Sequence, residues 1–275
     1  MGLSFSRMKE ILGLSLASVF TLVPQCAHAG FSLSPTSFSN PSALIDSNVV
    51  TPIVRTIGFA ADHRAYEGAA GLGNAAGIEL SLQATAVKLP PSFRDALSSA
   101  GLDNLPLPIV PLPRLIAHKG IGSRFDVGMS WIIFKEIKIL GFDAKAVVYQ
   151  PDEGPTWAIR LNYTDANISF SDSGASLGVH TRTMKPEILV SQRLDFFEPY
   201  LGVGYQLVNG SLKVNLPLPT PLPSINETVS ARGGGGLAFV GLGLKVPGIA
   251  LRLLIDGEYS TVGAHSLGAK FGFNF

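Results

Sequence analysis

The sequence predicts an all-β protein, a transmembrane antiparallel up-and-down β-barrel of about ten strands, with eight to twelve as the range. Three observations predict it. Apolar and polar residues alternate with period two in segments of about ten residues. The 275-residue chain is 46% hydrophobic but only 15% charged, with mean hydropathy +0.32. And after the first thirty residues no apolar run approaches the roughly 18 residues of a membrane helix, so the apolarity is dispersed through short strands. A soluble sandwich also alternates, but its strands are shorter, typically about five or six residues.

The first element is a leader. Arg7 and Lys9 precede the uncharged run Ile11 to Val23, and Ala27 and Ala29 stand before Gly30, the three parts of a secretory signal over residues 1–29. The only cysteine, Cys26, falls inside it, so the mature chain is expected to have neither disulfides nor thiolate metal sites. Removing Arg7, Lys9 and Glu10 from 21 basic and 20 acidic residues leaves 19 of each. That balance gives no basis for nucleic-acid binding. Residues 30–76 follow without a clear period, and the sequence leaves open a periplasmic segment, a plug in the lumen or an extra strand.

The barrel is expected over 77–275, with strands near 77–89, 109–118, 122–133, 137–149, 156–168, 178–193, 197–209, 231–243, 248–259 and 264–275. In 123–133, Phe125, Val127, Met129, Trp131 and Ile133 share one face and Arg124, Asp126, Gly128 and Ser130 the other. The pattern recurs in 77–86, 156–164 and 248–259. The segments 109–118, 178–193 and 231–243 are weaker, the first because of Pro111 and Pro113. Placing the carboxyl end in the periplasm puts the three longest connections outside: 90–108, 169–177 and 209–231. The stretch Ser92 to Gly101 predicts a short helix in the first of these, with Ser92 as the N-cap candidate. The proline-rich stretches around 105–115 and 215–225 read as stiff, extended loops.

The final ten residues, Ser266 to Phe275, alternate to the end. Phe271, Phe273 and Phe275 resemble, position by position, the terminal strand of Gram-negative outer-membrane proteins. That resemblance implies recognition by the barrel-assembly machinery and residence in the bacterial outer membrane. From about Arg114 onward, the order of "GSRFDVGMSW", "ILVSQRLDFFEPYLGVGYQ" and "LRLLIDGEYSTVGAHSLGAKFGFNF" is similar to a family of uncharacterised outer-membrane β-barrels distantly similar to long-chain fatty-acid transporters. The similarity implies a barrel, and transport of a hydrophobic small molecule as the function to be tested.

The inward face is expected to carry Glu79, Arg124, Asp126, Asp143, Lys145, Arg160, Arg252, Asp256, Glu258 and Lys270. About ten strands leave an interior that side chains largely fill, which favours a network of ion pairs over an open pore. Two functions follow: a monomeric outer-membrane barrel, with lipid as its surroundings, that binds or passes a small apolar ligand, or a structural or surface-interaction barrel with a closed lumen. A lipid-modifying enzyme is a weaker third. It requires a His, Ser and acidic cluster within hydrogen-bond reach at one depth. His265 and Ser266 are adjacent and so point to opposite faces, and HExxH and GxSxG motifs are absent from the sequence. No catalytic residue is therefore expected. His63, His118, His180 and His265 show no ligand spacing, and Gly233 to Gly236 lack the lysine and setting of a phosphate loop, so neither metal nor cofactor is expected.

Overall fold

In a computed structural model, residues 41–73, 77–99, 109–134, 137–172, 175–216, 224–245 and 250–274 are described. They belong to one compact unit spanning Leu33–Phe275. The expected leader and Phe275 lie outside the described residues.

Ten strands form one closed antiparallel barrel in which each pairs with its sequence neighbours and the first pairs with the last. They are β1 (Ile78–Lys88), β2 (Ile109–Ile121), β3 (Phe125–Phe134), β4 (Ile137–Tyr149), β5 (Thr156–Asp172), β6 (Ala175–Ser191), β7 (Phe197–Leu216), β8 (Ile225–Lys245), β9 (Leu251–Ser260) and β10 (His265–Asn274). Closure sets Glu79 opposite Asn274 and Lys88 opposite His265. It gives every strand two neighbours, as a bilayer requires. Side-chain parity then decides what faces lipid. Leu80, Phe125, Met129, Trp157, Ile159, Leu161, Leu201 and Leu267 are exposed on the wall. Glu79, Asp126, Arg160, Asn162 and Lys270, one residue out of phase, are buried inside. Leu161 is flanked by the aromatics Trp157 and Tyr163 on its own strand. Leu161→Arg is accordingly expected to lower folding stability by about 2–4 kcal/mol if it sits near the bilayer midplane. Urea unfolding in lipid vesicles measures this, and a change within error would place Leu161 away from lipid.

Two strands are much longer than a membrane crossing needs. β7 has 20 residues and β8 has 21, against about 9–11 for a tilted strand. The connections expected at 169–177 and 209–231 are therefore mostly strand: β5 continues to Asp172 before β6 starts at Ala175, and β7 pairs with β8 as far as Leu216 opposite Ile225. The reason is that alternation persists. Leu212, Val214 and Leu216 are buried on the inner face while Ser211, Lys213 and Asn215 lie between them. Pro111 and Pro113 sit inside β2, not in a loop. They pair with β1, and the pairing of β2 with β3 begins at Leu115, so among the described residues β1 is the strand neighbour of this stretch.

The barrel encloses a segment of its own chain. A 3₁₀ turn (Pro41–Ile45) leads to helix α1 (Ser47–Ala61). Asp46 is its N-cap, accepting from Asn48 N–H at 2.8 Å. Val49, Val50, Ile53, Val54 and Phe59 are all buried, as befits a helix enclosed on most sides. α1 packs against β6, β7 and β8 in the long-strand half of the barrel. The predicted outer-loop helix is present as α2 (Pro91–Ser99). It starts two residues earlier than an N-cap at Ser92 implies, with Phe93 N–H donating to Pro90 C=O at 3.1 Å and Pro91 at the first helical position, so Ser92 lies in the first turn. Its Ala96 and Leu97 pack on the same apolar cluster as α1.

Candidate functional site: the filled lumen

The lumen has two chemically distinct halves. In the long-strand half, Leu177, Val179, Val208, Leu212, Val214 and Ala231 form an apolar chamber filled by Leu44, Val50, Ile53 and Val54. Small wall residues allow this. A Cβ on Gly210 would lie 2.7 Å from Val54 Cγ1, and one on Gly233 would lie 2.9 Å from Arg55 Cδ. Within the run of glycines, Gly233 thus packs on α1, while Gly234 meets Tyr205 and Gly235 meets Thr261 and Val262, so the run serves close packing within strand β8 rather than a phosphate-binding loop.

Beyond Ala61 the chain becomes extended and enters a charged half. The carbonyls at the end of α1 are capped from both sides. Arg64 donates to Phe59 C=O at 2.8 Å and, through Nε, to Glu258 at 3.1 Å, while Arg114 of β2 donates to Ala61 C=O at 2.8 Å. Cations at this end complement the negative pole of the helix. Asp62 pairs with Lys185 at 2.7 Å, and Lys185 also reaches Glu187 at 3.1 Å and Glu258 at 3.4 Å. Glu67 pairs with Lys145 at 3.0 Å, and Lys145 with Asp126 at 3.0 Å. Ala69 N–H donates to Ser191 and Leu72 N–H to Asp126. Tyr66 adopts a φ of 44°, a costly left-handed conformation for a large side chain. Its hydroxyl hydrogen-bonds Thr85 at 3.0 Å, and its ring lies where a Cβ on Gly268 would be.

Nine of the ten residues expected on the inner face point inward. Glu79 pairs with Lys270 at 2.6 Å and with Arg252 at 3.8 Å; Arg160 pairs with Glu187 at 2.6 Å. Asp256 is buried beside Arg64 and Glu258. Arg124 is the correction. It lies in the β2–β3 turn and is exposed. Gly122, at φ 70°, ends β2 and the next strand resumes only at Phe125, leaving Arg124 beyond the inner wall although its parity is right. Phe271 and Phe273 lie on the outer side of β10 with their rings 5.5 Å apart.

The residues that sequence reasoning missed are Asp62, His63, Arg64 and Glu67 of the central segment, and Arg114, His118, Lys185, Glu187 and Glu198 of the wall. The wall residues carried a signal, since Thr181, Thr183, Lys185 and Glu187 alternate. The central segment carried none, because an extended chain enclosed on all sides has no exposed face to generate a period.

His63, His118 and Asp143 form the tightest cluster. His63 Nε2 lies 2.6 Å and His118 Nε2 3.1 Å from Asp143 Oδ1. His63 Nδ1 hydrogen-bonds Ser130 Oγ at 2.7 Å, and His118 Nδ1 lies 3.6 Å from Glu79. Ser130, His63 and Asp143 thus stand in the contact order of a hydrolytic triad. Ser130 is 0% exposed, and a Cβ on neighbouring Gly141 would lie 2.6 Å from its hydroxyl and 2.8 Å from His63 Cβ, so the hydroxyl is walled in. His265 instead stacks on Tyr259 at 4.7 Å, and its neighbour Ser266 is buried on the opposite side.

Wall and segment pack closely around Arg64 and Tyr66. The cavity lined by Arg64, Tyr66, Arg160, Glu187, Asp256 and Glu258 measures about 10 Å³, the space of at most one water. A larger depression of about 620 Å³, lined by Ala144, Ala146, Ile159, Leu161, Pro186 and Ile188, lies on the lipid-facing wall. It adjoins Pro186, where the β6–β7 pairing skips from Met184 to Glu187.

A closed ten-stranded barrel with an apolar exterior and a polar, ion-paired interior is an integral outer-membrane protein. No protein-family model and no curated protein matches the chain. Among solved structures it is similar to Neisserial surface protein A, with 12% identity over 72% of this chain and 97% of that one and a TM-score of 0.34. The outer-membrane protease OmpT from Escherichia coli shows 10% identity over 72% and 96%, at a TM-score of 0.41. A Pseudomonas aeruginosa FadL homologue shows 9% identity over 90% and 100%, at 0.27.

Proposed function

We propose that this outer-membrane barrel is closed at rest and acts through its long-strand end as a surface-interaction protein, without enzymatic activity. The carrying observation is residues 62–72, which occupy the charged half of the lumen and pair its wall charges. The lengths of β7 and β8 support the second part, because roughly half of each exceeds a bilayer crossing. The joins 122–124, 150–155 and 192–196 lie at the opposite end, the one at which β10 finishes and which we read as periplasmic. Burial of Ser130 supports the non-enzymatic part, since a nucleophile must meet its substrate.

Single-channel recording of the folded protein in a planar bilayer is the test. Absence of unitary steps is expected; a steady conductance would overturn a closed lumen. The apolar chamber around α1 favours one other function, exchange of a small apolar ligand when α1 moves. Saturable displacement of a fluorescent long-chain fatty acid by unlabelled fatty acid would select it over the surface role.

A further inference from the structure

We propose that His63, His118 and Asp143 form a site for one divalent transition-metal ion of the zinc type, clipping the central segment to the barrel wall. The three residues come from three places: the luminal segment, β2 and β4. Their donor atoms nevertheless lie within 4.8 Å of one another, all buried. Two imidazoles and one carboxylate suit zinc and its first-row neighbours, and disfavour calcium and magnesium, which take oxygen donors.

Three further features point to an ion rather than to chance packing. First, both imidazoles turn Nε2 to the centre. His63 is held there through its second nitrogen, Nδ1, which hydrogen-bonds Ser130 Oγ at 2.7 Å, as metal-binding histidines characteristically are. His118 Nδ1 faces Glu79 Oε1 at 3.6 Å, outside hydrogen-bond reach. Second, Asp143 Oδ2 is buried with no hydrogen-bond partner, leaving an acceptor for an ion or an ion-bound water. Third, the wall is cut back where the donors meet. A Cβ on Gly128 would overlap both Asp143 Oδ1 and the His118 ring. A tetrahedral ion about 2.1 Å from its donors holds them roughly 3.4 Å apart. Binding therefore requires His63 Nε2 to open from its 2.6 Å contact with Asp143, a shift its place on a non-strand segment permits.

The inference does not depend on whether the barrel passes a ligand. Its test uses the full-length folded protein, stripped with chelator, dialysed against zinc chloride and analysed for metal per barrel, with folding verified by heat-modifiable electrophoresis. One zinc per barrel is expected. His63→Ala and Asp143→Asn should each weaken binding by a hundredfold or more. Ser130→Ala should weaken it about tenfold, as loss of an orienting partner does, and His180→Ala, at the exposed Asp165 pair, should leave it unchanged. Cobalt substitution should give the visible absorption of a tetrahedral site in the wild type and not in Asp143→Asn. If folded wild type takes up no more zinc than folded His63→Ala, the cluster is a hydrogen-bonded ion-pair triad and the proposal fails. Equal binding by folded Asp143→Asn would also overturn it.

Discussion

Lys185→Met is expected to destabilise the folded barrel by about 3–5 kcal/mol, the cost of leaving buried charge uncompensated. Lys185 is fully enclosed and holds Asp62 at 2.7 Å, Glu187 at 3.1 Å and Glu258 at 3.4 Å. The three carboxylates do not suffer equally. Glu187 retains Arg160 and Glu258 retains Arg64 as ion-pair partners, whereas Asp62, among the described residues, retains the Thr164 hydroxyl at 3.2 Å as its side-chain hydrogen bond. Adding Asp62→Asn to Lys185→Met should therefore recover a substantial part of the loss, since the orphaned charge is removed with its partner. Urea titration of all three proteins in the same micelles measures both effects. A loss below about 1 kcal/mol in the single variant would show that water reaches these groups and that the segment does not seal the charged half.

Val54→Asp is expected to empty the apolar chamber while leaving the barrel wall intact. Val54 lies on α1 in the apolar chamber with 1% of its surface exposed, against Gly210 on β7. A carboxylate there loses its hydration among apolar side chains, a cost that the neighbouring Arg55 offsets only in part, so expelling α1 is expected to cost less than burying the charge. The strand ladder does not depend on α1, because all ten strands pair with one another. Added protease is expected to cleave within 41–61 while the barrel core survives, and conductance is expected to stay silent because residues 62–72 still fill the charged half. A variant that stays protected would show that α1 is not expelled from the chamber.

Most of the wall was legible from sequence because a strand in a barrel meets two solvents. Lipid outside and a polar lumen inside act on alternate residues, so parity alone places Leu80 outside and Glu79 inside, or Ile159 outside and Arg160 inside. That logic weakens where both faces see similar chemistry. The inner face of β7 beyond Val208 is apolar because α1 covers it, and the continuation of β7 and β8 looks like a loop when α1 is unknown. It fails at Arg124, where the parity is right but a turn has already carried the residue past the edge.

The sequence by itself determined the antiparallel barrel of about ten strands and the parity that separates lipid-facing from inward positions along its regular strands, because both follow from a local period of two repeated along the chain. Only the tertiary structure decided what the inward charges meet. Asp62, His63, Arg64 and Glu67 lie on a segment without a period, and their partners Lys185, Asp143, Glu258 and Lys145 are brought to them by barrel closure. The convergence of His63, His118 and Asp143 is of the same kind. Residues so far apart in sequence meet only because the wall curves around its own amino-terminal segment, and no spacing within the chain encodes that meeting.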